Sequence, residues 1–139
     1  MTTRKDPFLA PFAAGIRAGS SYVMMSTATY TRLDPAHIAA FSPTVIDVLR
    51  DQLGYDGAVI SDDLGIAASV SDIPVGQRAV RFVAAGGDVA LTVVPEQGDA
   101  MVESLARRAS ESLAFRDRLG AAVMRVLVRK VRAGLASCG

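Results

Sequence analysis

Gly57-Ala58-Val59-Ile60-Ser61-Asp62-Asp63-Leu64-Gly65 is the stretch whose reading decides the fold. Its first half is a short run of Ala, Val and Ile behind a glycine. Apolar residues at successive positions read as a parallel strand buried on both faces. Two carboxylates then end the run abruptly, and a glycine follows. The C-terminal ends of parallel strands are where α/β folds place their chemistry. The plainer alternative is that Asp62 or Asp63 caps the next helix, since aspartate is a common N-cap. This stretch alone supports both readings, and the flanking chain has to weigh them.

Upstream, Ser42-Pro43 opens a helix, serine as cap and proline at the first position. Val45, Ile46, Val48, Leu49 and Leu53 give it an apolar face, and Gly54 ends it. Before it runs a polar loop, Thr27 to Phe41, holding Tyr30, Arg32, Asp34 and His37; Arg32 and Asp34 are expected to pair across it. Tyr22-Val23-Met24-Met25-Ser26 reads as a first buried strand. Asp6-Pro7, Phe8, Leu9, Phe12 and Ile16 read as a helix stopped by Gly19. Downstream, a loop with Ser69, Ser71 and Asp72 leads to a helix beginning near Pro74. Val75, Ala79, Val80, Phe82 and Val83 form its stripe, and Gly86-Gly87 ends it. Asp88 to Val94 reads as a third strand, stopped by Pro95. Two helices close the chain, roughly Gly98 to Ser110 and Ser112 to Gly134, the second with Leu113, Leu119, Val123, Leu127 and Val131 as its inner stripe.

The order is a helix, three strand–loop–helix units and a final helix. The strands start roughly 30 to 35 residues apart, which suits repeated βα units with right-handed crossovers. Such units build an open doubly wound sheet or part of a (β/α)8 barrel. A barrel takes about 250 residues and eight βα units, so if these are barrel units the chain carries less than half of one.

Composition narrows the function. Half the residues are apolar and mean hydropathy is +0.31, so much of the chain is expected to be buried. No apolar run is long enough to span a membrane, and the basic N-terminus has no apolar region behind it, so neither a membrane partner nor a signal peptide is expected. A cytoplasmic location is the default. Net charge is +1, which gives no reason to expect a nucleic-acid partner. Arg107, Arg108, Arg116, Arg118, Arg125, Arg129, Lys130 and Arg132 crowd the C-terminal third without interleaved aromatics, and read as solvated helix faces. The single Cys138 excludes an internal disulfide, and one histidine leaves no zinc cluster.

Read together, the residues form a familiar series. It runs through Pro11-Phe12, Gly15-Ile16-Arg17-Ala18-Gly19, Val23-Met24-Met25-Ser26, Tyr30-Thr31-Arg32-Leu33-Asp34-Pro35 and Ala40-Phe41-Ser42-Pro43. It continues through Leu49 to Gly65, LRDQLGYDGAVISDDLG, and ends with Ala79-Val80, Ala84-Ala85-Gly86-Gly87-Asp88 and Leu91-Thr92-Val93. This series resembles the catalytic domain of glycoside hydrolase family 3, in its β-N-acetylhexosaminidase branch, from about Asp6 to the end. The Leu49–Gly65 segment is the specific part of the likeness.

The resemblance implies that residues 1–139 are a single partial domain: about three βα units and terminal helices from the C-terminal portion of a (β/α)8 barrel. It implies a retaining hydrolase acting on β-linked N-acetylglucosamine, such as the amino sugars of cell walls. Asp62, after the serine at the strand end, takes the nucleophile's position. A retaining enzyme needs an ionised carboxylate to attack the anomeric carbon, and a strand end holds it rigidly. Asp63 is expected in a supporting or capping role at the substrate site. Ser26 and Tyr30 follow the preceding strand and border the same mouth; a local backbone bond and loop packing are their plainer readings. No metal or cofactor is called for, because the reaction needs only carboxylates, an acid and water.

One departure is large. The branch protonates the leaving oxygen with an aspartate-paired histidine on the loop after the fifth strand, near a Lys-His-Phe-Pro-Gly stretch. Neither exists here, and His37 sits one strand too late, with Ile38 where the family usually has proline. The expectation is an incomplete enzyme, a non-catalytic sugar- or partner-binding remnant, or one half of a split enzyme. Such a piece would expose strand edges and associate with a complementing chain or itself. A phosphoacceptor domain would need a lysine at a strand end, and Lys5 and Lys130 are elsewhere. A nucleotide domain would need a Gly-rich phosphate loop, which is missing.

Overall fold

The structure, a computed structural model, describes residues 2–137. Cys138 lies outside the described residues. The fold is α/β, built on one three-stranded parallel sheet in the order β1-β2-β3. The strands are β1 (Tyr22–Met25), β2 (Ala58–Asp63) and β3 (Val89–Leu91). The helices are α1 (Ala10–Arg17), α2 (Pro43–Asp47), α3 (Val75–Ala85), α4 (Glu96–Glu111) and α5 (Leu113–Arg132).

Local chemistry explains most boundaries. Asp6 accepts from Phe8 N at 2.9 Å and starts a single 3-10 turn (Pro7–Leu9) that runs into α1. Pro11 is the second residue of α1, where its missing N–H has no helical partner to lose. Ser42 Oγ accepts from Val45 N at 3.2 Å and caps α2. Beyond Asp47 the helix loosens into a π turn (Val48–Gln52), closed by Leu53 N on Val48 O at 3.0 Å. Ser112 caps α5 through Phe115 N.

The core lies between the sheet and α2 and α3. Ile46, Val59, Leu64, Val70, Phe82 and Val83 are its largest fully buried apolar side chains. At the end of α3, Gly86 adopts φ +116°, and Gly87 N returns to Phe82 O at 3.0 Å. A Cβ on Gly87 would fall inside the Phe82 ring. Gly87→Ala should therefore cost about 1–3 kcal/mol through displacement of that ring. A urea melt with a lower midpoint and unchanged slope is the expected readout.

The N-terminal ends of β2 and β3 are locked by charge. The Asp88 side chain is fully buried; its Oδ2 meets Arg50 at 2.6 Å and Val59 N at 2.8 Å, and its Oδ1 meets Arg125 at 2.9 Å. Arg50 also donates to the carbonyls of Tyr55 (3.0 Å) and Gly57 (2.6 Å) and lies over the Tyr55 ring. Burial pushes the Tyr55 phenol up to about 12, and its hydroxyl donates to Ala58 O.

Four expectations need correction. β1 is not buried on both faces: Met24 is 60% exposed and Tyr22 is also exposed, because the described residues leave that side open. β3 stops at Leu91 rather than Val94, since Asp63 Oδ1 takes Val93 N and Thr92 Oγ1 takes Val94 N, turning the chain out of the sheet. Most of the α5 stripe does not face inward. Of that stripe only Leu119 packs inward, beside Phe115 and Ala122; Leu113 is 68% and Val123 50% exposed, and Leu127 and Val131 are exposed with them. Finally, Arg125 and Arg129 are not simply solvated: both are engaged by acids, and Arg129 is buried. Arg125 holds Asp88, and Arg129 is buried against Asp56, reaching its Oδ2 at 3.2 Å and its carbonyl at 3.1 Å.

Candidate active site

Asp62 and Asp63 are the last two residues of the central strand. β1 pairs with β2 through Met25 and Ser61, so the register sets Ser26, just past β1, alongside Asp62. On the other flank the register with β3 shifts between Ile60 and Asp63. Ser61, fully buried, fills the shift: its Oγ accepts from Leu91 N at 2.9 Å. The hydroxyl supplies this amide with an acceptor where the ladder is interrupted. A lone serine inside an apolar strand was the available signal for this, and sequence reasoning passed over it.

The two carboxylates differ in their engagements. Asp63 Oδ1 accepts from Gly65 N at 2.9 Å and Val93 N at 3.1 Å, and its Oδ2 from Ile66 N at 3.1 Å. Its side chain thus ties the β2–α3 loop to the end of β3. Asp62 Oδ1 accepts only from Asp63 N, at 2.8 Å, and no donor among the described residues meets its Oδ2. One oxygen of Asp62 stays open at the strand end.

Burial pushes the Asp63 carboxyl up, but the N–H groups of Gly65, Val93 and Ile66, helped by Arg78, hold it below the usual 3.8. A carboxyl lowered by folding stabilises above its unfolded value and loses that contribution as pH falls through the folded one. Amide protection at Gly65, Ile66 and Val93 should therefore persist from neutral pH to about 4 and collapse only below 3.8. Asp63→Asn should speed exchange at these amides about tenfold at pH 7, since charge-assisted bonds are lost. Hydrogen exchange read by NMR measures both.

Ser26 Oγ accepts from Ala28 N at 2.9 Å, which turns the chain out of β1. Tyr30 packs on the core, and its carbonyl accepts from Leu33 N and Asp34 N. Both residues line a groove of about 640 Å³ beside β1, along with Phe8, Phe12 and Met24; Asp62 is not among its lining residues. Asp34 pairs with His37 (2.9 Å) and Ser42 (2.7 Å), not with Arg32. The Ser42 hydroxyl is the main cause of its lowered carboxyl; burial opposes, and His37 and Ala36 N add to the lowering. His37 is mostly in solvent, as expected of a surface loop residue. No group of three His, Cys, Asp or Glu among the described residues is arranged to hold a metal, and no helix there is long and apolar enough to cross a membrane.

Arg78 was not foreseen. It is 7% exposed and pairs with no carboxylate among the described residues. Its Nε donates to Ile73 O at 2.7 Å, and one terminal nitrogen donates to Leu64 O at 2.8 Å and Gly65 O at 2.7 Å. The other reaches Ser71 O at 3.4 Å. From sequence it is one more arginine on the polar side of an amphipathic helix.

Comparison with known proteins gives this geometry a context. Residues 3–128 match the model of the glycosyl hydrolase family 3 N terminal domain. A beta-hexosaminidase of Stenotrophomonas maltophilia is 41% identical over 113 residues, 81% of this chain and 33% of the relative. The chain thus spans about a third of the length of the curated relatives it matches. Among solved structures, a beta-N-acetylhexosaminidase from Beutenbergia cavernae superposes with a TM-score of 0.87 at 38% identity, over 94% of this chain and 39% of that one. A family 3 beta-N-acetylglucosaminidase from Paenibacillus superposes at 0.75 with 31% identity, over 94% of this chain and 26% of that one. With residues 3–128 matched by the family model and nearly the whole length superposed, the chain belongs to the glycosyl hydrolase family 3 N-terminal domain family.

Proposed function

We propose that this chain is the nucleophile-bearing part of a retaining β-N-acetylhexosaminidase-type glycosidase, with Asp62 as the nucleophile. The observation that supports this reading is the unequal engagement at the strand end. Asp63 is consumed by three backbone N–H groups, while Asp62 keeps an open oxygen. In the reaction, that oxygen attacks the anomeric carbon of a β-linked N-acetylglucosaminide. The bond to the leaving oxygen breaks, a glycosyl ester forms, and water then hydrolyses it. Ser26 and Tyr30 border the mouth as substrate contacts, and Asp63 holds the loop beneath it.

The leaving oxygen needs a proton, and we assign its donor to barrel units that this stretch does not contain. The three βα units are read as a contiguous part of a (β/α)8 barrel. Two bare faces mark where the other units would dock: the β1 edge with Phe8, Phe12, Tyr22 and Met24, and the exposed apolar stripe of α5. A second copy would supply three more strands, short of the eight that close such a barrel. A complementing polypeptide with the remaining units fits better than self-association.

The test is incubation with a 5-fluoro 2,4-dinitrophenyl β-N-acetylglucosaminide, followed by intact mass. Its leaving group departs with little acid help, so the reagent probes the nucleophile separately from the missing acid. An adduct on Asp62 is the expected result. No adduct, even with the remaining barrel units added, would leave the second reading: a half that binds sugar or partner without turnover, which the lack of any Lys-His-Phe-Pro-Gly stretch favours.

A further inference from the structure

We propose that Arg78 is the positioning residue of the Asp62 strand end. The inference rests on Asp62 as nucleophile and assigns a task to a residue away from the chemistry. A buried arginine ordinarily neutralises a carboxylate, because an unpaired buried charge is costly. Arg78 instead spends its donors on the carbonyls of Leu64, Gly65, Ser71 and Ile73. Two of these belong to the residues directly after Asp62 and Asp63. With Leu64 and Gly65 carbonyls drawn toward α3, the amides of Gly65 and Ile66 are presented to Asp63. Asp63 is thereby held down on the loop, and Asp62 is the carboxylate left facing the mouth.

The anchor itself is rigid. Arg78 sits in the first turns of α3, where Gly76 lets that helix approach α4 so closely that a Cβ would overlap Ser104 Oγ. Gly65 is similarly confined, since a Cβ there would overlap Thr92 Oγ1. Lysine cannot do the same work. Its single ammonium cannot span four carbonyls spread over ten residues of loop, whereas the planar guanidinium fork can.

The experiment uses the 139-residue chain with Arg78→Lys, Arg78→Met and Gly65→Ala, the last disturbing the same turn with Arg78 intact. Amide exchange is read at Gly65, Ile66 and Val93, with Ala58 and Asp88 at the far end of the sheet as controls. Labelling by the activated glycoside is read in parallel. Arg78→Lys should speed exchange at the three amides at least about tenfold while the controls change less than about twofold. Its labelling rate should fall about tenfold or more at saturating reagent, with the reagent concentration for half-maximal rate unchanged. If Arg78→Met does not fold, Gly65→Ala should show the same selective loss. Exchange that rises evenly over the sheet, or labelling that is unchanged, overturns the proposal. Selective loss of protection in a chain that never labels, even with the remaining barrel units added, refutes the nucleophile assignment and leaves Arg78 as the clamp of this turn.

Discussion

Asp62→Asn is expected to abolish covalent labelling of this chain, and in an assembled barrel to lower kcat by on the order of 10⁴-fold or more. The substitution keeps shape and removes nucleophilicity. A carboxamide cannot form the glycosyl ester, but its carbonyl oxygen can still accept from Asp63 N. The turn should therefore survive, with stability changed by less than about 1 kcal/mol. That combination identifies a chemical loss rather than a structural one. Asp63→Asn gives the contrast: the nucleophile remains, the three amides lose protection, and labelling slows without disappearing. Intact mass with peptide mapping decides the matter. An adduct that persists in Asp62→Asn, or that maps to another residue, sinks the assignment.

The largest loss of stability should come from the other end of the strands. Asp88→Ala removes the anion that lies between Arg50 and Arg125 and takes away the carboxylate that accepts from Val59 N. Removing one partner of a buried ion pair costs about 3–5 kcal/mol, because the other charge stays behind. Burial already pushes the Arg50 guanidinium down, Asp88 is what opposes this, and Arg125 adds to the lowering. A thermal or urea melt should show a loss comparable with much of the 5–15 kcal/mol that typical domains possess, roughly a 10 °C drop or full unfolding. Arg125→Ala should cost far less, about 1 kcal/mol, since that side chain is a third exposed and Arg50 continues to neutralise Asp88. Equal losses in the two variants would contradict this account of the cluster.

The parts of this fold that follow from short-range chemistry were legible in the sequence. Ser42-Pro43, Gly54, Gly86 and the Gly57–Gly65 run each act through neighbours within a few residues, so pattern alone places α2, α3 and β2. Asp62 was legible as a strand-end acid for the same reason. Long-range acceptors were not. The early end of β3 depends on Asp63 reaching Val93, thirty residues away, and Ser61 reaches Leu91 over the same span. Arg78 and Arg125 look like solvated charges until tertiary structure brings carbonyls or Asp88 to them. The α5 stripe shows a different limit. Periodicity says which face of a helix is apolar, but not whether this stretch of chain supplies what covers it.

The π turn at Val48–Gln52 has an evolutionary consequence. A turn closed from i to i+5 is a helix carrying one surplus residue. Arg50 lies inside it, aimed at Asp88. Losing a single residue just ahead of Arg50 would rotate that arginine by about 100° around the helix and off its target. A lineage that acquired the surplus residue can substitute around it, but reversion by a one-codon deletion would sever the arginine from Asp88 in the same step. Such a surplus residue would act as a ratchet, easier to gain than to lose once Arg50 holds Asp88.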